Sequence, residues 1–75
     1  MKIVSWNVNG IVACRRKGFL QFLRDTQPDV MCCQEIKTRC VLRTPGYHQF
    51  WNPAKRPGYS GTLTLTKLLP LSCSL

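Results

Sequence analysis

Three oxygen-bearing side chains close two apolar runs in the first half of the chain. Asn7 and Asn9 end the run from Lys2 just before Gly10, and Glu35 follows Val30-Met31-Cys32-Cys33. Two asparagines near the end of an apolar strand are costly there unless they are paired or used. A carboxylate beside an amide carbonyl is the oxygen set that hard cations such as Mg²⁺ or Mn²⁺ take, usually one or two carboxylates completed by water and substrate phosphate. Such an ion polarises a phosphoryl oxygen and generates or orients a water nucleophile. The plainer account is a solvated glutamate at a strand end and turn chemistry at Asn9-Gly10. Spacing alone leaves both accounts open.

A second group lies in Asn52-Pro-Ala-Lys55-Arg56-Pro-Gly58-Tyr59-Ser60-Gly61. Lys55 and Arg56 offer charge, Tyr59 and Ser60 offer hydroxyls, and Gly58 and Gly61 allow close backbone approach. Phosphates and sugars are contacted by such groups, although an ordinary Pro/Gly turn has the same composition. Trp6, Phe50, Trp51 and Tyr59 could stack on bases, but core packing is the favoured reading. The single histidine, His48, sits beside Tyr47 in an expected strand and reads as structural rather than as a general base.

The elements that must position these groups follow from periodicity. Residues 2–9 read as a strand with Val4, Trp6 and Val8 on one face and Ile3, Ser5, Asn7 and Asn9 on the other. Residues 15–27 read as a helix with an apolar stripe of Phe19, Leu20, Phe22 and Leu23. Gly18 weakens its first turn by about 1 kcal/mol relative to Ala, and Pro28 stops it. Residues 29–35 read as a strand whose continuous apolar run predicts cover on both faces. Strand, helix, strand makes a βαβ unit with parallel strands and a right-handed crossover. Its strands bring their carboxyl ends to one edge of the sheet, where α/β sheets place ligands. If the two strands are neighbours, Asn7, Asn9 and Glu35 meet at that edge. Tyr47–Trp51 and Thr62–Lys67 read as two further strands, with a loop from Asn52 to Gly61 between them. The tail from Leu68 has no clear period.

Composition bounds the rest. The chain has 75 residues, eleven of them Lys or Arg against three acids, for a net charge of +8. Such an excess calls for an anionic partner, most simply a phosphate backbone. At 44% apolar residues the sequence is too apolar for a disordered tail, and no run approaches the roughly 18 apolar residues of a membrane span. One domain is the ceiling, and a core of this size is marginal without a staple. The five cysteines, Cys14, Cys32, Cys33, Cys40 and Cys73, supply none. Their odd number and the lack of a CxxC fit neither a disulfide framework nor a zinc site. Free thiols packed as small hydrophobes fit a reducing, cytoplasmic compartment. The N-terminus carries no apolar stretch of the kind that marks a signal peptide.

Three segments together resemble the exonuclease III family of abasic-site endonucleases, within the endonuclease/exonuclease/phosphatase superfamily. Lys2-Ile-Val-Ser-Trp-Asn7-Val-Asn9-Gly10 is similar to the family's opening strand. Pro28-Asp-Val-Met-Cys-Cys-Gln34-Glu35-Ile-Lys37 is similar to its metal-site signature, and Arg56-Pro-Gly-Tyr59-Ser60-Gly61 to its next block. Gly18-Phe-Leu-Gln-Phe-Leu resembles its first helix. The resemblance covers residues 1 to about 67, and order and approximate spacing agree. It implies an α/β fold, here a partial four-layer α/β sandwich of the DNase I-like kind, with this chain as the N-terminal part of a single domain. It implies Mg²⁺-dependent (or Mn²⁺-dependent) hydrolysis of DNA phosphodiesters, 5′ to an abasic site in duplex DNA or from a 3′ end. Glu35 then matches the metal-binding glutamate, and Asn7 the active-site asparagine that helps order the metal and phosphate network. Asn9 stands where some members carry a metal-proximal Asp. Tyr59 matches a tyrosine near the DNA backbone, with Arg56, Lys55, Lys37 and Ser60 as further DNA contacts.

The sequence also departs from the family pattern. Val12 stands where relatives usually carry Arg, Cys33 replaces an aliphatic residue, and the segment from Thr38 to Pro45 is short. The family's later Asp-x-Asn segment and C-terminal Asp-His pair have no counterpart here, so the chain alone is expected to be inactive or nearly so. Two rival readings remain at this stage. One is a phosphatase of the same superfamily. The other is a non-enzymatic basic module that binds nucleic acid, or a decayed fragment.

Overall fold

The computed structural model describes residues 1–53 and 60–67. Six elements follow one another: β1 (Ile3–Asn7), α1 (Ile11–Arg16), α2 (Phe19–Thr26), β2 (Val30–Gln34), β3 (His48–Pro53) and β4 (Gly61–Thr66). The strands form one mixed sheet in the order β1-β2-β4-β3. β1 and β2 are parallel neighbours, with Ile3 opposite Val30 and Asn7 opposite Gln34. β4 runs antiparallel to both β2 and β3. The expected βαβ unit and both later strands are therefore present.

The single helix expected over 15–27 is instead two. α1 starts at Ile11, directly after Gly10, and α2 restarts at Phe19. Between them Gly18 adopts φ +106, a left-handed conformation that costs other L-residues roughly 1–2 kcal/mol. Gly18 thus separates two helices rather than weakening one. The break re-aims the chain so that both pieces bury a side: Ile11 and Cys14 from α1, Phe19 and Leu23 from α2. α2 ends at Gln27, which is left-handed and donates its N–H to the Leu23 carbonyl at 2.9 Å. Pro28 follows and disfavours helical geometry in the residue before it.

Period-two alternation sorts the sheet into two faces. Val4, Met31 and Leu65 share one row, and Trp6, Cys33 and Leu63 share the next on the same side. Both helices pack there. Trp6 stacks on Phe19 at 5.6 Å between ring centroids and meets Phe22 edge-on at 5.0 Å. Phe19, Ile11, Met31, Ile36, Leu63 and Leu65 are fully buried, each contributing about 1.5–3 kcal/mol relative to exposure. The opposite face holds Ile3, Ser5 and Asn7, all exposed, with half-buried Cys32, Thr64 and Phe50 beside them. The cover expected on both faces of β2 is therefore not found among the described residues. Both helices lie on the Met31 and Cys33 side, which leaves Val30, Cys32 and Gln34 only half-buried.

The third strand is shifted. Tyr47 precedes it and donates its hydroxyl to the Pro28 carbonyl at 2.6 Å. Asn52 and Pro53, expected in the loop, extend β3 and pair with Thr62 and Gly61. Proline is tolerated because β3 lies at the sheet edge, where its missing N–H breaks no ladder on the outer side. Residues 54–59 and the tail 68–75 lie outside the described residues.

Candidate functional site

Parallel pairing makes the site. Because Asn7 lies opposite Gln34, the residues that follow β1 and β2 leave the sheet together at one edge. Their backbones stay joined beyond the strands. Val8 donates to the Gln34 carbonyl (3.1 Å), Gly10 to Glu35 (2.8 Å) and Ile11 to Ile36 (2.9 Å). From the other side, Ile36 donates to Gly61 (3.2 Å) and Lys37 to Ser60 (3.1 Å). Residues 35–37 are thus clasped between the turn leading into α1 and the start of β4.

The clasp holds an unusual backbone. Four non-glycine residues among those described have positive φ: Asn9 (47°), Gln27 (48°), Glu35 (53°) and Lys37 (68°). Gln27 is a helix cap, and the other three all lie at this edge. Left-handed backbone at non-glycine residues costs free energy and concentrates at functional sites. At Glu35 the twist sends the chain down so that Ile36 is fully buried while Glu35 and Lys37 stay exposed on either side of it. Gly10, itself at φ +97, lies under the Lys37 side chain, whose Cδ is 3.6 Å from where a Cβ would stand.

The side chains complete the arrangement. The Asn7 Nδ2 amide donates to Glu35 Oε2, and the Asn9 backbone N–H donates to Asn7 Oδ1 at 3.0 Å. A carboxylate only accepts and a backbone N–H only donates, so the Asn7 amide has one consistent orientation. Asn7 therefore holds the Glu35 carboxylate in place, with its own carbonyl engaged by Asn9. Asn9 takes part through its backbone, and its side chain is exposed. The acid supply elsewhere is remote. Asp25 accepts from Gln21 on α2, and Asp29 accepts from the Lys2 backbone N–H at the opposite end of β1. Among the described residues no group of three or more His, Cys, Asp or Glu could hold a metal ion. The donor set at the edge is one carboxylate and neighbouring amides, which fits a hard cation that keeps most of its waters and takes phosphate oxygens. It does not fit a closed, all-protein site.

The remaining expected residues divide cleanly. Lys37 and Ser60 lie at the edge, joined through their backbones. Lys55, Arg56 and Tyr59 lie outside the described residues. The positions flanking them, Pro53 and Ser60, stand at the Asn7 end of the sheet, since Pro53 pairs with Gly61 next to the row of Asn7, Gln34, Thr62 and Asn52. His48 is in the row of Ile3, Val30 and Thr66, at the far end of the sheet, so it offers no proton transfer at the edge. Trp6 and Trp51 pack against the core. Cys14, Cys32, Cys33 and Cys40 are free thiols. Burial pushes the Cys33 thiol up to about 12, with Cys14 and Cys32 adding to the rise. Burial also raises Cys14 against the opposing charge of Lys17. Neither is a nucleophile.

Sequence reasoning placed Asn7 and Glu35 at one edge, where the structure also brings them together, but missed the backbone clasp and the part of Gly10. The Asn9-Gly10 pair was the available signal, since both residue types tolerate left-handed φ.

The chain matches known proteins in sequence and in fold. Residues 4–74 match the model of the Endonuclease/Exonuclease/phosphatase family. The chain is 44% identical over 75 residues to an exodeoxyribonuclease of Bacillus subtilis, covering 95% of this chain and 30% of that protein. Among solved structures it resembles an AP endonuclease from Leishmania major (TM-score 0.75, 32% identity, 88% of this chain and 23% of that one). It also resembles a Neisseria 3′ phosphatase bound to product DNA hairpin (TM-score 0.73, 28% identity, 95% of this chain and 29% of that one). The chain thus spans less than a third of the length of each of these proteins. Its mixed sheet is the part of the fold that carries the Asn7–Glu35 edge, and the chain belongs to the Endonuclease/Exonuclease/phosphatase family.

Proposed function

We propose that these residues form the metal-anchoring corner of a DNA repair nuclease. That enzyme hydrolyses DNA phosphodiesters at abasic sites and from 3′ ends. The observation that carries this reading is the Asn7–Glu35 hydrogen bond at the shared edge of two parallel strands. Glu35 would hold a Mg²⁺ or Mn²⁺ ion, and Asn7 would fix the carboxylate while Asn9 fixes Asn7. The ion, when bound, supplies charge stabilisation at a phosphoryl oxygen and lowers the pKa of a water. Lys37 and Ser60 at the same edge, with Lys55, Arg56 and Tyr59 from the neighbouring segment, would contact the DNA backbone. The net charge of +8 suits that partner. The relatives support the substrate class: one is an exodeoxyribonuclease, one an AP endonuclease, and one a 3′ phosphatase bound to product DNA hairpin. Free thiols at Cys14, Cys32, Cys33 and Cys40 suit a reducing, cytoplasmic setting.

The chain alone is proposed to incise poorly or not at all. The edge offers one carboxylate, and the only histidine lies at the far end of the sheet, so among the described residues no second carboxylate or imidazole is placed to move a proton. Incubating the chain with an abasic-site duplex and Mg²⁺ tests both parts. Salt-dependent DNA binding without efficient incision is expected. Efficient, EDTA-sensitive incision contradicts the inactivity, and the absence of DNA binding at low salt contradicts the DNA-facing edge.

A further inference from the structure

A cavity of about 390 Å³ opens at the other end of the molecule, lined by Leu20, Leu23, Arg24, Gln27, Arg43, Thr44, Pro45 and Tyr47. Leu20, Leu23 and Arg24 stand at the i, i+3 and i+4 positions of one α2 stripe, which Gln27 caps, and Arg43, Thr44, Pro45 and Tyr47 form the facing wall. Tyr47 anchors that wall through its hydroxyl to the Pro28 carbonyl (2.6 Å). Thr44 is buried and takes a hydrogen bond from Gln49 (2.8 Å). Pro28 and Asp29 lead into the amino end of β2, so the cavity is separate from the Asn7–Glu35 edge.

The walls combine an apolar floor with uncompensated charge. Leu23 is buried and Leu20 half-buried, and both line the cavity together with Pro45 and Tyr47. Arg24 and Arg43 are both exposed, and neither has an acidic partner among the described residues. The chain has only three acids, and each is engaged elsewhere: Asp25 with Gln21, Asp29 with Lys2 and Glu35 with Asn7. A third cation stands near, since Lys67 Nζ lies 5.8 Å from the Tyr47 ring centroid.

We propose that this cleft is a second binding site, taking a small phosphomonoester with a planar aromatic ring. Cavities of about 300–1,000 Å³ suit small ligands. Guanidinium forks match phosphate oxygens, and a phosphomonoester carries close to two negative charges at neutral pH, where a carboxylate carries one. The two arginines are complementary to the former. The leucines and the Tyr47 ring accept a flat body. The site does not depend on the nuclease reading, because none of its residues belongs to the metal edge.

The test is a titration of the full chain with deoxyadenosine monophosphate, adenosine or inorganic phosphate, in EDTA, followed by amide chemical shifts. The nucleotide is expected to shift Leu23, Arg24, Gln27, Thr44 and Tyr47 saturably. Arg24→Ala or Arg43→Ala should weaken it by about tenfold or more, and Glu35→Gln should leave it unchanged. No saturable shift, a shift centred on Asn7 and Glu35, equal binding of adenosine or of bare phosphate, or indifference to both arginine variants overturns the proposal.

Discussion

The Asn7 side-chain amide donates to the Glu35 carboxylate across 28 residues of sequence, because parallel pairing sets Asn7 opposite Gln34. One residue of register fixes the pair. A slip by a single position would turn Asn7 to the helix-covered face. Removing the amide should therefore act on metal affinity while the fold remains. Asn7 is exposed, so Asn7→Ala leaves the core untouched. It is expected to lower Mn²⁺ affinity about 10- to 100-fold, the usual effect of losing a group that orients a ligand. Titration of the free Mn²⁺ signal by electron paramagnetic resonance reads this directly. An unchanged affinity would show that Glu35 needs no orienting partner.

Gly18 separates α1 from α2 at φ +106, and a Cβ there would meet nothing within 4 Å. Helix propensity alone would make Gly18→Ala stabilising by about 1 kcal/mol. The left-handed backbone reverses the sign, and a loss of about 1–2 kcal/mol is expected. Urea denaturation followed by circular dichroism decides between the two signs.

Asp29 makes stability depend on acid. The Lys2 backbone N–H is the main cause holding its carboxyl below the usual carboxylate range, with Lys67, the N-terminus and the Lys2 side chain adding to it against desolvation. Its folded value is thus below its unfolded value of about 3.9. The stabilisation is fully present above that unfolded value and is lost as pH falls through the folded one. The urea midpoint should fall as pH drops below about 4, and Asp29→Asn should flatten that fall. An equally steep fall in the variant would place the acid sensitivity elsewhere.

The thiols should separate by burial. Cys33 is fully buried with its thiol pushed up to about 12, and Cys14 is buried and raised. Cys32 and Cys40 are half-buried. Iodoacetamide at about pH 8, below an ordinary thiol value of about 8.5, should label Cys32 and Cys40 well before Cys14 and Cys33. Peptide mass mapping gives the order. Labelling of Cys33 as fast as Cys32 would mean that the helix layer opens freely.

Strand period and helix stop were legible because each rests on local chemistry. Val4, Trp6 and Val8 alternate plainly, and Pro28 disfavours helical geometry in the residue before it. The Asn7–Glu35 edge was legible through topology, since a βαβ unit leaves little choice about where its strand ends meet. Gly18 was misread because a single glycine within an apolar stripe can weaken a helix or divide it. Only the need to bury Ile11 and Cys14 together with Phe19 selects division. The cover predicted for β2 is present on the Met31 and Cys33 side alone among the described residues. An apolar run such as Val30–Cys33 shows what a strand tolerates on each face, not which residues lie there. The left-handed turn at Glu35 carried no composition signal at all. It follows from the hydrogen bonds that Gly10 and Ile36 make to partners distant in sequence.

The claim that Glu35 and Asn7 anchor a divalent cation is tested most directly by adding substoichiometric Mn²⁺ to the isotopically labelled chain and recording amide line widths. Amides of Asn7, Asn9 and Glu35 are predicted to broaden first, with Glu35→Gln abolishing the selectivity while the rest of the spectrum persists. Broadening centred on Asp25 or Asp29, or an unchanged pattern in Glu35→Gln, would contradict the account.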